Sequence, residues 1–388
     1  MKDELVKLTL DSFCSNFGTK EGITTVAVPA SIILLGDHTH YNEGVILSVA
    51  IDRYAVASVK ERDDDNLNII FSDCELSYYS SLNQFSANNI QCGQISFGPL
   101  LGILREEKIL QKGFNCMINS NIPSAIGLGG VTAHHMALLI AVNKALKLDL
   151  PEEEIINIAR RGEMASIGKI SNRAHHRTVV EAKKRMLFFN DLRKDSIDYV
   201  QLNNLNYKLL IYDTGKVIED IRDTCNERIS ECKVGVDGLR LYIWGIKNLR
   251  DVNIDFLKRH IHMLPHRIYA RVLYNVTERM RVENLLEVIA GGNTEILSTT
   301  IKDSHYSLRK DYEIGSETLD YLVTCSMSVE GVIASKMISC SANESIYSIV
   351  AADRAQEISA TVKEAFYNKF GKELTTYSLD IINGCDCL

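Results

Sequence analysis

Three short stretches of this chain collect residue types that handle phosphate, protons or metals. Residues 36–44, Gly-Asp-His-Thr-His-Tyr-Asn-Glu-Gly, form a polar loop between two apolar runs. Gly127-Leu128-Gly129-Gly130 precedes a run of helical character from about Thr132 to Leu148. Backbone N–H groups at a helix N-terminus, aided by the helix dipole, cradle phosphate. A glycine loop alone has low specificity, because turns before helices are often glycine-rich. The third stretch, Met337–Val350, reads as strand–turn–strand. Histidine is concentrated around such segments: of ten in the chain, six are His38, His40, His134, His135, His175 and His176. Imidazole titrates near neutral pH, serves as a base and binds transition metals.

The elements that must carry these residues alternate between strand-like and helix-like periods, the pattern of an α+β or α/β protein. Thr24–Val28 and Ile32–Leu35 read as strands flanking Pro29, followed by β-rich stretches at Val45–Ala57, Leu67–Ser72 and Gly113–Ile118. Pro151 followed by Glu152, Glu153 and Glu154 is a helix start, with proline at the first position and acids over the first turn. Met186–Phe189 reads as a strand, and Leu209–Tyr212 opens a second half that continues into a charged helix, Val217–Lys233. Helical patterns dominate from about Val252 to Val323. Strands at Val332–Ile338 and Ile346–Val350, a helix from Asp353 to Phe370 and a strand at Thr375–Ile381 complete the chain. Trp244 is expected to pack on a helix, and the charge run Lys60–Asp65 to be a solvated turn.

Composition narrows the function classes. The chain has 388 residues, room for two packed domains or one large one. Its formal net charge of −7 argues against a general nucleic-acid or anionic-membrane binder, which needs a basic face. The N-terminus carries acids and no apolar core before a small-residue cleavage site, so no leader is expected. Apolar runs such as Met136–Val142 are far shorter than a membrane span. The ten cysteines are scattered without a CxxC pair, which reads as reduced thiols of a cytoplasmic protein. The terminal Cys385-Asp386-Cys387-Leu388 is read as a frayed end rather than a redox or metal tail.

Taken in this order, the three stretches resemble the galactokinases of the GHMP kinase family. Residues 28–44, VPASIILLGDHTHYNEG, resemble the first motif, where a sugar-binding stretch of the type GEHTDYN follows APGR. Residues 122–133, IPSAIGLGGVTA, resemble the nucleotide-phosphate motif with its GLSSS core, and residues 331–350 sit where the glycine-rich third motif ends the family's chain. The likeness continues at Asn226-Glu227-Arg228 with Cys232, at Asn248–Val252, at Ser304–Glu313, at Ala352-Asp353-Arg354 and at Lys369-Phe370-Gly371. It covers nearly the whole chain from about residue 20. It implies a two-lobed α+β fold: a ribosomal-protein-domain-2-like lobe over residues 1–200 and a ferredoxin-like α/β lobe over 201–388.

The resemblance also implies where the site lies and what is missing from it. A kinase of this type uses a carboxylate near the reacting sugar hydroxyl, an arginine beside it, and a serine and a glutamate that hold Mg²⁺. Here the arginine position falls on Ser31 and the catalytic carboxylate position on His175. The sugar contacts fall on Asp37, His38, His40 and Cys225. The phosphate loop is Gly127, Leu128, Gly129 and Gly130, with Thr132 as the only nearby hydroxyl. The Mg²⁺-binding glutamate is expected on or beside His135, and no glycine occurs between Ser339 and Ser345. Histidine thus replaces carboxylates, which suits Zn²⁺ or Ni²⁺ better than Mg²⁺. The sequence therefore predicts that His40, His135 and His175 converge on a transition metal or an anion.

Losing a general base costs on the order of 10²–10⁴ in rate. Losing base, arginine and metal ligands together has no visible compensation, and Cys225 as a nucleophile has no supporting motif. The reading that follows is a catalytically deficient, ligand-binding or regulatory pseudokinase in carbohydrate metabolism. It would bind a small-molecule sugar or nucleotide, engage neither nucleic acid nor membrane, and take a protein partner if regulatory. The alternative is a working ATP-dependent sugar kinase using ATP and Mg²⁺, favoured by retention of Asp37-His38 and Gly127-Leu128-Gly129.

Overall fold

A computed structural model describes residues 1–84, 90–92, 95–168, 170–201, 206–289 and 294–385. In chain order the first half holds α1 (Lys2–Phe17), β1 (Thr24–Leu35), β2 (Val45–Glu61), β3 (Asn66–Phe71), β4 (Leu76–Ser81), β5 (Gln91–Cys92), β6 (Ile95–Ser96), α2 (Gly98–Glu106) and β7 (Phe114–Ser120). It continues through α3 (Gly130–Ala145), α4 (Glu152–Ile167), α5 (Arg173–Glu181), β8 (Met186–Asp191) and β9 (Ser196–Gln201). The second half holds β10 (Tyr207–Val217), α6 (Ile221–Leu239), α7 (Ile254–Arg259), α8 (His266–Val288), α9 (Thr294–Lys310) and α10 (Glu317–Met327). It ends with β11 (Val332–Met337), β12 (Asn343–Ala351), α11 (Ala355–Phe370), β13 (Thr375–Leu379) and β14 (Ile381–Ile382).

The larger sheet runs β4-β3-β7-β2-β8-β9, with β1 and β14 also paired to β2. Only β3–β7 is parallel among its described pairings. The 17-residue β2 is almost continuously buried, as a strand with neighbours on all sides must be. The smaller sheet is antiparallel, in the order β11-β12-β10-β13. Helix α3 covers β1 and β2, and every residue from Thr132 to Val142 is buried. A helix that is apolar all round has no solvent face to offer. One apolar cluster joins the two sheets, with Ile32, Leu47 and Leu128 packing among Leu209, Ile211 and Ile349. The terminal strand β14 crosses back to pair with Ile51 and Ala50 of β2.

Some sequence expectations change here. Pro29 does not separate two strands: β1 runs through it, and the register slips at Pro29/Ala30. An irregularity at that point tolerates a residue with no N–H to give. Pro151 is the N-cap of α4 rather than its first residue. Trp244 is 99% exposed in the turn after α6, so it packs on nothing in the chain. Cys74 and Cys92 are paired as a disulfide with Cα atoms 6.2 Å apart, against the expectation that every thiol is reduced. The turn after β3 and the short strand β5 bring them side by side, a proximity that spacing alone does not encode. Cys385 is buried, while residues 386–388 lie outside the described residues.

Candidate functional site

The end of β1 delivers the polar loop. Gly36 sits at φ +89°, and a Cβ there would lie 2.4 Å from the Val45 carbonyl oxygen, so only glycine fits. Its N–H donates to Glu278 of α8 (2.9 Å), which anchors the loop to the second half of the chain. Asp37 is buried, forms a close ion pair with the fully buried Lys336 of β11, and accepts from Ser339 Oγ at 2.5 Å. Burial alone would push the Asp37 carboxyl up. The Lys336 ammonium, the Ser339 hydroxyl and His38 together outweigh it and hold the carboxyl below its usual range. His38 takes a left-handed backbone (φ 57°), and its ring lies 4.9 Å from that of Tyr312. His40 meets the Ile170 carbonyl oxygen at 3.3 Å.

The glycine loop comes next. Gly127 and Gly129 have φ +76° and +63°, and Gly129 is the N-cap of α3. A Cβ on Gly129 would sit 2.9 Å from Ser31 Oγ and 3.0 Å from His175 Nδ1. Ser31 Oγ and His175 Nδ1 are themselves hydrogen-bonded at 2.8 Å, and Ser31 N–H donates to the Leu128 carbonyl oxygen. Helix α5, capped by the Asn172 side chain on Ala174 N–H, sets His175 in its first turn. Residues distant in sequence, Ser31, Gly129 and His175, thus meet at the mouth of a helix N-terminus.

Behind the loop lies a pair that sequence reasoning missed. Thr132 Oγ1 donates to Glu163 at 2.6 Å, Ser171 Oγ donates to the same carboxylate at 2.9 Å, and His176 Nε2 is 3.4 Å away. Glu163 is buried on α4. The available signal was helical spacing: Ile156, Ala159 and Glu163 share the apolar stripe, where an acid is out of place unless partnered.

The expected trio His40, His135 and His175 does not converge. Among the described residues, the groups whose donor atoms lie within 4.8 Å of one another do not include it. His135 points away from the loop, with Nε2–H donating to the Ser96 carbonyl oxygen at 2.8 Å and its ring beside Phe97. Burial holds His135 at about 4 and His176 at about 3, so both are neutral packing residues.

The third segment closes over the first two. Ile338 packs against Gly127, where a Cβ would come within 2.5 Å of Ile338 Cγ2, and Asn343 N–H donates to the Ala125 carbonyl oxygen. Contact with the glycine loop is therefore kept without glycines in the 339–345 turn itself. Cys225, in the first turns of α6, is buried with its Sγ 2.7 Å from Cys340 Sγ.

Segments of the chain match models of known protein families. The GHMP kinases N terminal domain matches residues 99–174, and the galactokinase galactose-binding signature matches residues 11–61. Over these segments the chain is similar to the galactokinases of the GHMP kinases. It is 25% identical over 352 residues to a galactokinase of Roseiflexus sp. (strain RS-1), covering 91% of this chain and 90% of that protein. It is 25% identical over 386 residues to one of Clostridium perfringens, covering 96% and 97%. Its fold is that of the Lactococcus lactis galactokinase complexed with galactose: TM-score 0.89 at 19% identity, over 98% of this chain and 99% of that one. The Methanococcus jannaschii mevalonate kinase matches at TM-score 0.64 and 17% identity, over 94% and 100%. The two-lobed α+β GHMP kinase fold expected from the motifs is the one observed. Among the described residues no helix is long and apolar enough to cross a membrane.

Proposed function

We propose that this chain is an ATP-dependent sugar kinase of the galactokinase type, acting in the cytoplasm on galactose or a related small hydroxyl compound. The observation that carries the reading is the meeting of Ser31, His175 and Gly129 at the glycine loop. Relatives named galactokinase match across almost the whole chain, which favours this reading over a non-catalytic one. The N–H groups opening α3 would hold the nucleotide phosphates. Thr132 and Glu163 supply two buried oxygen donors behind them, a hard pair that fits Mg²⁺ better than His135 does. Mg²⁺ held there would neutralise charge between the phosphates. His175 would take the proton of the sugar hydroxyl in place of a carboxylate. Asp37 would orient the sugar.

Phosphoryl transfer from ATP to galactose and related sugars tests this. Turnover that falls on the order of 10²-fold or more in His175→Ala supports it. Turnover that is absent in the wild type, or unchanged in the variant, removes it. One observation favours a second reading, a binding protein without turnover: Ser31 brings a hydroxyl, engaged by His175, where a cation would stabilise the transferring group. A thermal shift with ATP–Mg²⁺ or a sugar, without turnover, would select that reading.

A further inference from the structure

His38, Cys225 and Cys340 come from three separate places: the polar loop, the first turns of α6, and the turn between β11 and β12. Cys225 and Cys340 are 115 residues apart, with sulfurs 2.7 Å from one another. Cys340 Sγ is 3.3 Å from His38 Nε2, across a sequence separation of 302. One donor atom from each of the three falls within 4.8 Å of the other two. His38 and Cys340 both hold left-handed backbone at φ 57°, a conformation that costs a non-glycine residue on the order of 1 kcal/mol or more. His38 and Cys225 are buried, whereas Cys340 is half-buried and leaves one side open.

We propose that His38, Cys225 and Cys340 form a binding site for a thiophilic ion of the zinc class. Two thiolates and an imidazole are a soft-to-borderline donor set, matched to Zn²⁺ and mismatched to Mg²⁺. With Zn–S near 2.3 Å and Zn–N near 2.0–2.1 Å, tetrahedral geometry puts sulfur and nitrogen about 3.5 Å apart and the two sulfurs about 3.7 Å apart. The sulfur–nitrogen distance is already close to that value. The sulfurs must part by about 1 Å, which falls to Cys340, on a turn open to solvent on one side. Binding converts both thiols to thiolates and releases their two protons to solvent. Water fills the fourth position, entering past Cys340. The ion would tie the polar loop to α6 and to the third loop. This donor set is distinct from the three histidines singled out in the sequence, and the inference stands whether or not the chain turns over a sugar.

The test uses the full chain without a histidine tag, kept reduced with a phosphine, first stripped with a chelator and then titrated with Co²⁺ and Zn²⁺. A thiolate-to-cobalt charge-transfer band and about one Zn²⁺ per chain are expected. Cys340→Ser and Cys225→Ser should each weaken Zn²⁺ binding at least about tenfold, while Cys14→Ser should leave it unchanged. As a measurement that needs no variant, Zn²⁺ should shield Cys225 and Cys340 of the wild type from iodoacetamide, read by peptide mass spectrometry. Folded, reduced protein that gives no thiolate–cobalt band, or in which Zn²⁺ leaves alkylation of both cysteines unaltered, overturns the assignment.

Discussion

Replacing Lys336 with methionine isolates the ion pair at the centre of the site. The lysine side chain is fully buried and that of Asp37 is 7% exposed, so solvent screens the pair weakly. At a separation of roughly 3 Å and an effective dielectric near 20, Coulomb attraction is about 5 kcal/mol. Methionine keeps most of the volume but leaves Asp37 buried with Ser339 as its remaining side-chain partner. Removing one member of a buried pair costs about 3–5 kcal/mol. Lys336→Met should therefore lose about that much in guanidinium denaturation. Asp37→Asn with Lys336→Met should recover more than half of the loss, because no unpaired charge is left. The pH dependence follows from the lowered Asp37 pKa. The unfolded chain binds the proton more readily, so the pair's contribution is complete above about pH 4 and drains as pH falls further. A loss under about 1 kcal/mol, or a double variant no more stable than Lys336→Met alone, would refute the reasoning.

Three further tests address other parts of the site. His135 and His176 are held neutral by burial at about 4 and about 3. The unfolded chain therefore takes up protons first, and stability present above about pH 6.5 is lost as pH falls toward those values, by up to about 3 kcal/mol for His135. Denaturation from pH 7.5 to 4.5 checks this, and His135→Gln should flatten the slope. Gly127→Ala places a methyl 2.5 Å from Ile338 Cγ2 at φ +76° and should cost about 1–3 kcal/mol in thermal or chemical unfolding. Glu163→Gln should weaken the Mg²⁺ dependence of any ATP-driven turnover by about tenfold or more, with the sugar KM little changed. A variant with unaltered Mg²⁺ dependence would remove Glu163 from the metal site.

Much of the fold was legible in the residues. Periodicity marked Val45–Ala57 as strand and the run after Gly130 as helix, and the structure buries both β2 and α3 almost throughout. Motif order located Ser31, Asp37, Gly129 and His175, and three of these meet at the loop. Glu163 escaped notice because its partner Thr132 is 31 residues away on another helix, and no local pattern encodes that meeting. His135 misled for the same reason: its sequence neighbourhood is the phosphate loop, but its direction on α3 faces Ser96 and Phe97.

The sequence by itself determined the resemblance to galactokinases and the rough order of strands and helices, since residue types and spacing carry those facts. Only the tertiary structure decided which of the remaining polar groups are partners. Asp37 with Lys336, Glu163 with Thr132, and Cys225 with Cys340 and His38 each join residues from different elements. Burial makes such groups find one another, because an unpartnered polar group in the core costs more than any local preference can repay.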